Sequence, residues 1–128
     1  MRLDDDQVTA DEPRLLRVAV LGPVRAWRAD TELELGAPRR RAVLGLLAAR
    51  ANQVVSRDEL IDGIWGEEPP ASVVNALHVH VARLRAALEP QREHRAPGQV
   101  LLASQRGYEL RLAPAQVDAQ LLDRKSVV

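Results

Sequence analysis

The sequence predicts an α+β fold, and three observations carry that expectation. Apolar and polar residues alternate with period two early in the chain. The period then lengthens to that of a helix over three successive stretches. It returns to two on either side of a glycine near the end. Three strands, three helices and a terminal hairpin follow in that order, with no internal repeat.

Up to Pro13 there is no periodicity, and residues 1–13 are expected to be a disordered acidic tail. Arg17-Val18-Ala19-Val20-Leu21 reads as a strand stopped by Gly22-Pro23. Val24 to Arg28 alternates and turns at Ala29-Asp30, and Glu32-Leu33-Glu34-Leu35 alternates again before Gly36. Such segments build a small antiparallel sheet with one wet face.

Pro38 suits a helical first turn, and Val43, Leu44, Leu47, Ala48 and Ala51 recur along one face until Asn52 stops the helix. Ser56-Arg57-Asp58-Glu59 places Ser at an N-cap and Glu three residues later, a capping box. The helix it opens has Leu60, Ile61, Ile64 and Trp65 as its apolar face and ends at Gly66. Beyond Glu67-Glu68-Pro69-Pro70 comes the longest helix, residues 71–89, with Val74, Leu77, Val81, Leu84 and Leu88 in one narrow stripe. Residues 90–99 are polar loop. Val100–Ser104 and Tyr108–Leu112 then bracket Gln105-Arg106-Gly107 as a hairpin, with Tyr108, Leu110 and Leu112 on one face.

The chain's 128 residues suit one ordinary domain. Apolar residues make up 46% but aromatics only 2%, so the core must be aliphatic. The absence of cysteine excludes disulfides and thiolate metal sites. No run approaches the roughly 18 apolar residues of a membrane span, and the acidic start lacks a secretory signal's apolar stretch. A cytoplasmic protein without a membrane partner is expected. His78 and His80 diverge by about 200° on a helix, and His94 has no carboxylates at ligand spacing, so no metal is expected. With no Gly-x-Ser-x-Gly elbow or phosphate-cradling glycine loop, neither catalytic residues nor a cofactor are expected.

The zero net charge hides an asymmetry: residues 1–12 carry a net of −4 and the remainder +4. Seventeen of the 18 basic residues are arginine, Lys125 being the exception. Arginine suits bidentate contacts with phosphate and guanine, although a GC-rich coding sequence produces the same bias.

With Leu77 at the centre of the buried face, Ser72, Asn75, Val79, Ala82, Arg83 and Ala86 fall on the far side of the third helix. That face has small residues, one Asn and one Arg, and no Lys or Glu before Glu89. A major groove takes such a surface: Asn binds adenine, Arg binds guanine, and Val or Ala touches a thymine methyl. His78 and Arg85 sit on the flank, where phosphates lie. The same pattern fits packing against a partner helix equally well. Arg39-Arg40-Arg41 in the first turn of the first helix opposes its macrodipole. A DNA phosphate beside Arg40 and Arg41 would remove that conflict, and a solvated basic turn is the plainer alternative.

These residues also carry a resemblance. Asn75 to Leu88 resembles the recognition helix of OmpR/PhoB-type winged helices, and Ala103-Ser-Gln-Arg-Gly-Tyr-Glu-Leu110 resembles their wing. Leu21–Trp27, Pro38–Leu47, Val54–Ile61 and Ile64–Ala71 resemble the SARP family of biosynthesis regulators and related AfsR-type activators. The resemblance spans about residues 15 to 120. It implies a winged helix-turn-helix: a four-stranded N-terminal antiparallel sheet, a three-helix bundle and a C-terminal β-hairpin wing. It further implies binding to double-stranded DNA at direct-repeat promoter sites, as tandem protomers, with recruitment of RNA polymerase. Asn75, Val79 and Arg83 would enter the major groove beside His78. Arg106 would reach the minor groove or phosphates, and Gly66, Glu67, Glu68, Pro69 and Pro70 would face the polymerase. Residues 14–113 would form this domain. Residues 114–128 would be linker and the truncated start of an activation domain, at Val117-Asp118-Ala119-Gln120. The alternatives are a protein-interaction module using the third-helix face and a fragment that binds without activating.

Overall fold

The structure, a computed structural model, describes residues 16–90 and 100–118. The acidic tail, loop residues 91–99 with His94, and residues 119–128 lie outside them. Strand β1 (Leu16–Ala19) pairs antiparallel with β2 (Arg25–Arg28), which pairs with β3 (Thr31–Glu32). Alternation places Leu16, Val18 and Ala26 on the core face, and Arg17, Arg25 and Trp27 on the other. The third strand is shorter than its alternation predicts. After Leu33 donates to the Ala26 carbonyl at 2.8 Å the pairing stops, and Leu35 turns into the core.

Helix α1 (Pro38–Ala49) starts on Pro38 and buries Val43, Leu44, Leu47 and Ala48. Asn52 ends this region with a positive φ of 70°, which its short amide side chain tolerates. That amide donates to the Leu112 carbonyl at 2.8 Å and accepts from the Leu112 N–H at 3.2 Å. A strand that the sequence pattern did not reveal follows directly: β4 (Val54–Val55) pairs with the wing. Helix α2 (Arg57–Trp65) opens with the expected capping box and buries Leu60, while Ile61, Ile64 and Trp65 are half-buried.

Helix α3 (Val73–Leu88) buries Val73, Leu77, Val81, Leu84 and Leu88. Val74, expected in this stripe, is 44% exposed. At 100° per residue Val73 stands about 40° from Leu77 and Val74 about 60°, so Val73 takes the inward place. Strands β5 (Leu101–Ser104) and β6 (Gly107–Leu110) form the hairpin, and the second sheet runs β4-β6-β5. Its face carries Leu101, Tyr108 and Leu110, with Leu112 beyond, into the core shared by the helices and the first sheet.

Two further expectations are corrected. The first sheet has three strands among the described residues, not four. The stretch after residue 113, expected to be linker, is part of the fold as far as it is described. Val117 is fully buried and bridges Val18, and Gln116 donates to the Leu16 carbonyl at 2.7 Å. Asp118 accepts from the Val20 N–H at 2.8 Å. Among the described residues, no helix is long and apolar enough to cross a membrane, and no cluster of His, Asp or Glu could hold a metal.

Candidate nucleic-acid interface

The α3 surface is built by exclusion. Burying the stripe from Val73 to Leu88 leaves Ser72, Asn75, Val79, Ala82, Arg83 and Ala86 exposed together on the opposite side. Val79, 43% exposed, supplies the apolar element of this face. Ser72 occupies the N-cap position of α3 with no side-chain cap bond. Of the first helical N–H groups, that of Val73 donates to the Pro70 carbonyl at 3.1 Å and that of Ala76 to the Ser72 carbonyl at 2.9 Å. His78 is exposed on the flank.

Three side chains hold this helix at its C-terminal end. Arg28, reaching from β2, donates to the carbonyls of Ala87 (3.3 Å) and Leu88. A cation there also complements the negative end of the helix dipole. Arg85 Nε donates to the Leu101 carbonyl at 3.1 Å, and Glu89 accepts from the Leu101 N–H at 2.9 Å. Arg85 is thus half-buried against the wing, not projecting freely from the flank. The roles of Arg28 and Glu89 carry no sequence signal, because each depends on a partner far along the chain.

The wing tip is a two-residue turn, Gln105-Arg106, and Arg106 is exposed. The Ser104 hydroxyl accepts from the Arg106 N–H at 3.2 Å and stiffens the turn. Gly107 follows at φ 146°, packed against β4 so closely that a Cβ would lie 2.1 Å from the Val55 carbonyl oxygen.

The three first-turn arginines of α1 separate. Arg39 lies over the Trp65 ring, 5.6 Å from its centroid. Arg40 is half-buried and donates to the Leu35 carbonyl at 3.5 Å. Arg41 is exposed, and its charge helps hold the Glu32 carboxyl below its ordinary range, after the dominant contribution of Arg25. Protein groups therefore absorb part of the conflict with the helix dipole. Trp65 also stacks on His80, ring centroids 6.1 Å apart, and so fixes the start of the exposed loop Gly66–Pro70. Burial, then Arg40 and Arg39, lowers the His80 pKa.

Comparison with known proteins agrees with this geometry. The family model described as transcriptional regulatory protein, C terminal, matches residues 30–110. The regulatory protein AfsR of Streptomyces coelicolor is 40% identical over 109 residues, covering 84% of this chain and 10% of AfsR. A structure of Mycobacterium tuberculosis EmbR in complex with a low-affinity phosphopeptide superposes with a TM-score of 0.75 at 32% identity. It covers 83% of this chain and 27% of that one. The Klebsiella pneumoniae RstA DNA-binding domain, solved in complex with the RstA box, has a TM-score of 0.56 at 18% identity, a likeness of fold. It covers 68% of this chain and 82% of RstA's. The winged helix-turn-helix expected from the sequence is thereby borne out. The chain spans about a tenth of AfsR and about a quarter of the EmbR chain.

Proposed function

The chain belongs to the transcriptional regulatory protein C-terminal family, the OmpR/PhoB-type domain, and from that premise we propose that it is the DNA-reading module of a SARP-like transcriptional activator of biosynthetic genes. The observation that carries this reading is the outward face of α3. It is small and exposed, it is armed with Asn75 and Arg83, and it belongs to a helix pinned at its C-terminal end.

In this reading α3 lies in the major groove. Arg83 binds guanine O6 and N7, Asn75 binds adenine, and Val79 and Ala82 meet thymine methyls. Ser72 and His78 contact phosphates beside the groove, and Arg106 reaches the neighbouring backbone or minor groove from the wing. Arg41, exposed at the start of α1, is a further phosphate contact, and Arg40 is drawn off toward Leu35. The reading unit runs from about residue 14 to residue 118, with Pro114–Asp118 included because they pack on β1. Tandem protomers on direct repeats, a cytoplasmic location and contact of Gly66–Pro70 with RNA polymerase complete the proposal. The exposure of that loop above the Trp65 anchor supports the last point.

The test is equilibrium binding to two duplexes, one selected by the chain from a random-sequence pool and its scrambled counterpart. Arg83→Ala should weaken the selected duplex by about 1–3 kcal/mol and spare the scrambled one, whereas Arg106→Ala should weaken both and lower the salt slope by about one. Equal loss on both duplexes for Arg83→Ala would remove its base-reading role. Weak, unselective binding by the unaltered chain would point instead to a protein partner on the same face.

A further inference from the structure

Arg85 and Glu89 are four residues apart on α3 and therefore stand one above the other on the same flank. Both address one residue of the wing. Arg85 Nε donates to the Leu101 carbonyl at 3.1 Å, and the Glu89 carboxylate accepts from the Leu101 N–H at 2.9 Å. The ladder explains why those two groups are available. Ser104 pairs with Gly107 beside the turn, and Leu101 pairs with Leu110 three residues along each strand. Counting back from the turn, alternation makes Leu101–Leu110 a non-hydrogen-bonded pair, and the next pair bonds again, Arg111 N–H to the Val100 carbonyl at 2.7 Å. The polar backbone groups of Leu101 therefore point away from β6, off the edge of the sheet, where they would otherwise meet water. One turn of α3 satisfies both.

We propose that Arg85 and Glu89 form a clamp that sets the angle and spacing between α3 and the wing, so that Arg83 and Arg106 engage one duplex together. This rests on the DNA-reading function proposed above. Arg85 is then a positioning residue, not a phosphate contact. A wing left free to swing must be ordered when DNA binds, and that cost falls on the complex needing both contacts. Loosening the clamp therefore weakens specific binding first.

The test uses the full chain with Arg85→Met, Glu89→Leu and Glu89→Gln, whose amide oxygen still accepts from Leu101. Each is titrated with the selected and scrambled duplexes between 50 and 200 mM salt, and amide hydrogen exchange is followed without DNA. Arg85→Met and Glu89→Leu should each lower affinity for the selected duplex by about 3–10-fold, leave the scrambled duplex nearly unchanged and preserve the salt slope. The Leu101 amide should exchange faster in Glu89→Leu, and Glu89→Gln should restore most of the affinity. The sign of the Glu89→Leu effect is the sharpest criterion. Removing a carboxylate near DNA strengthens binding if long-range charge is all that matters, and the clamp requires the opposite. Tighter binding by Glu89→Leu overturns the proposal. So does an Arg85→Met variant that loses both duplexes equally with a slope smaller by about 0.9. If the unaltered chain binds neither duplex, the DNA-reading function fails and takes the clamp's role with it. Exchange at Leu101 still decides whether the clamp holds the wing.

Discussion

Replacing Gly107 by alanine should strike the joint between the wing and the helices. The new Cβ would lie 2.1 Å from the Val55 carbonyl oxygen and 2.8 Å from Ser56 Cα, both backbone atoms with no rotamer to yield. Relief requires β4 and β6 to separate by about an ångström, well outside hydrogen-bond tolerance for the pairs Val54–Glu109 and Val55–Tyr108. Two lost backbone bonds cost about 1 kcal/mol each. The φ of 146°, unfavourable for any side chain, adds about 1–3 kcal/mol, for a total near 3–5 kcal/mol. That is a large part of the 5–15 kcal/mol that typically holds a domain together. At about 4–8 °C per kcal/mol for a domain of this size, Tm should fall by more than about 10 °C. Gly22→Ala is the control: its φ is 99° but nothing lies within 4 Å of the new methyl, so only backbone strain is added. Thermal melts followed by circular dichroism would compare the two. Equal losses of Tm would refute the close-approach argument and leave conformation alone as the reason for glycine at 107.

His80 should titrate below the ordinary histidine value, because burial and the facing Arg40 and Arg39 all disfavour its cation. The unfolded chain then takes up the proton first as pH falls, so stability is full above the ordinary histidine pKa of about 6.5 and declines below it, toward the lower folded value. Melts between pH 8 and pH 5, with His80→Gln flattening the profile, would show this, and an NMR titration placing His80 at or above the ordinary value would contradict it. Ser56→Ala removes the acceptor of the Glu59 N–H at 3.0 Å and should cost about 1 kcal/mol, read as a Tm lower by several degrees. An unchanged Tm would mean that water replaces the cap without loss.

What was legible in the sequence were the features decided locally. Ser56 and Glu59 form their capping box within one turn, whereas α1 ends at Ala49 and Asn52, expected to stop it, takes its left-handed backbone in the turn beyond. The alternation of Tyr108, Leu110 and Leu112 needs only the pleat to fix which face is buried. Features depending on distant partners were not legible. Two valines are too few to show a period, so β4 emerges only when β6 lies beside it. Val73 and Val74 are nearly equivalent on a helical wheel, and only the folded chain distinguishes them, burying Val73 and leaving Val74 44% exposed. For the interface, the exposed face of α3 followed from the stripe opposite it. The destinations of Arg40 and Arg85 did not, since a guanidinium on a long stem goes to whichever acceptor the fold supplies.

The bridge between Val18 and Val117 has a mechanical consequence. It runs parallel, with Gln116 bonded to Leu16 at one end and Asp118 to Val20 at the other. The chain thus enters and leaves the described domain along one edge of one sheet. Tension applied through segments on either side would load that edge in shear and bypass α3 and the wing. The two ends are offset only by the length of β1, about 15 Å at the usual strand rise. A linker of about six residues could therefore join Asp118 to Leu16 and close the backbone into a ring without moving a buried side chain. Such a ring, cut elsewhere, would present the same α3 surface from a chain with a different beginning.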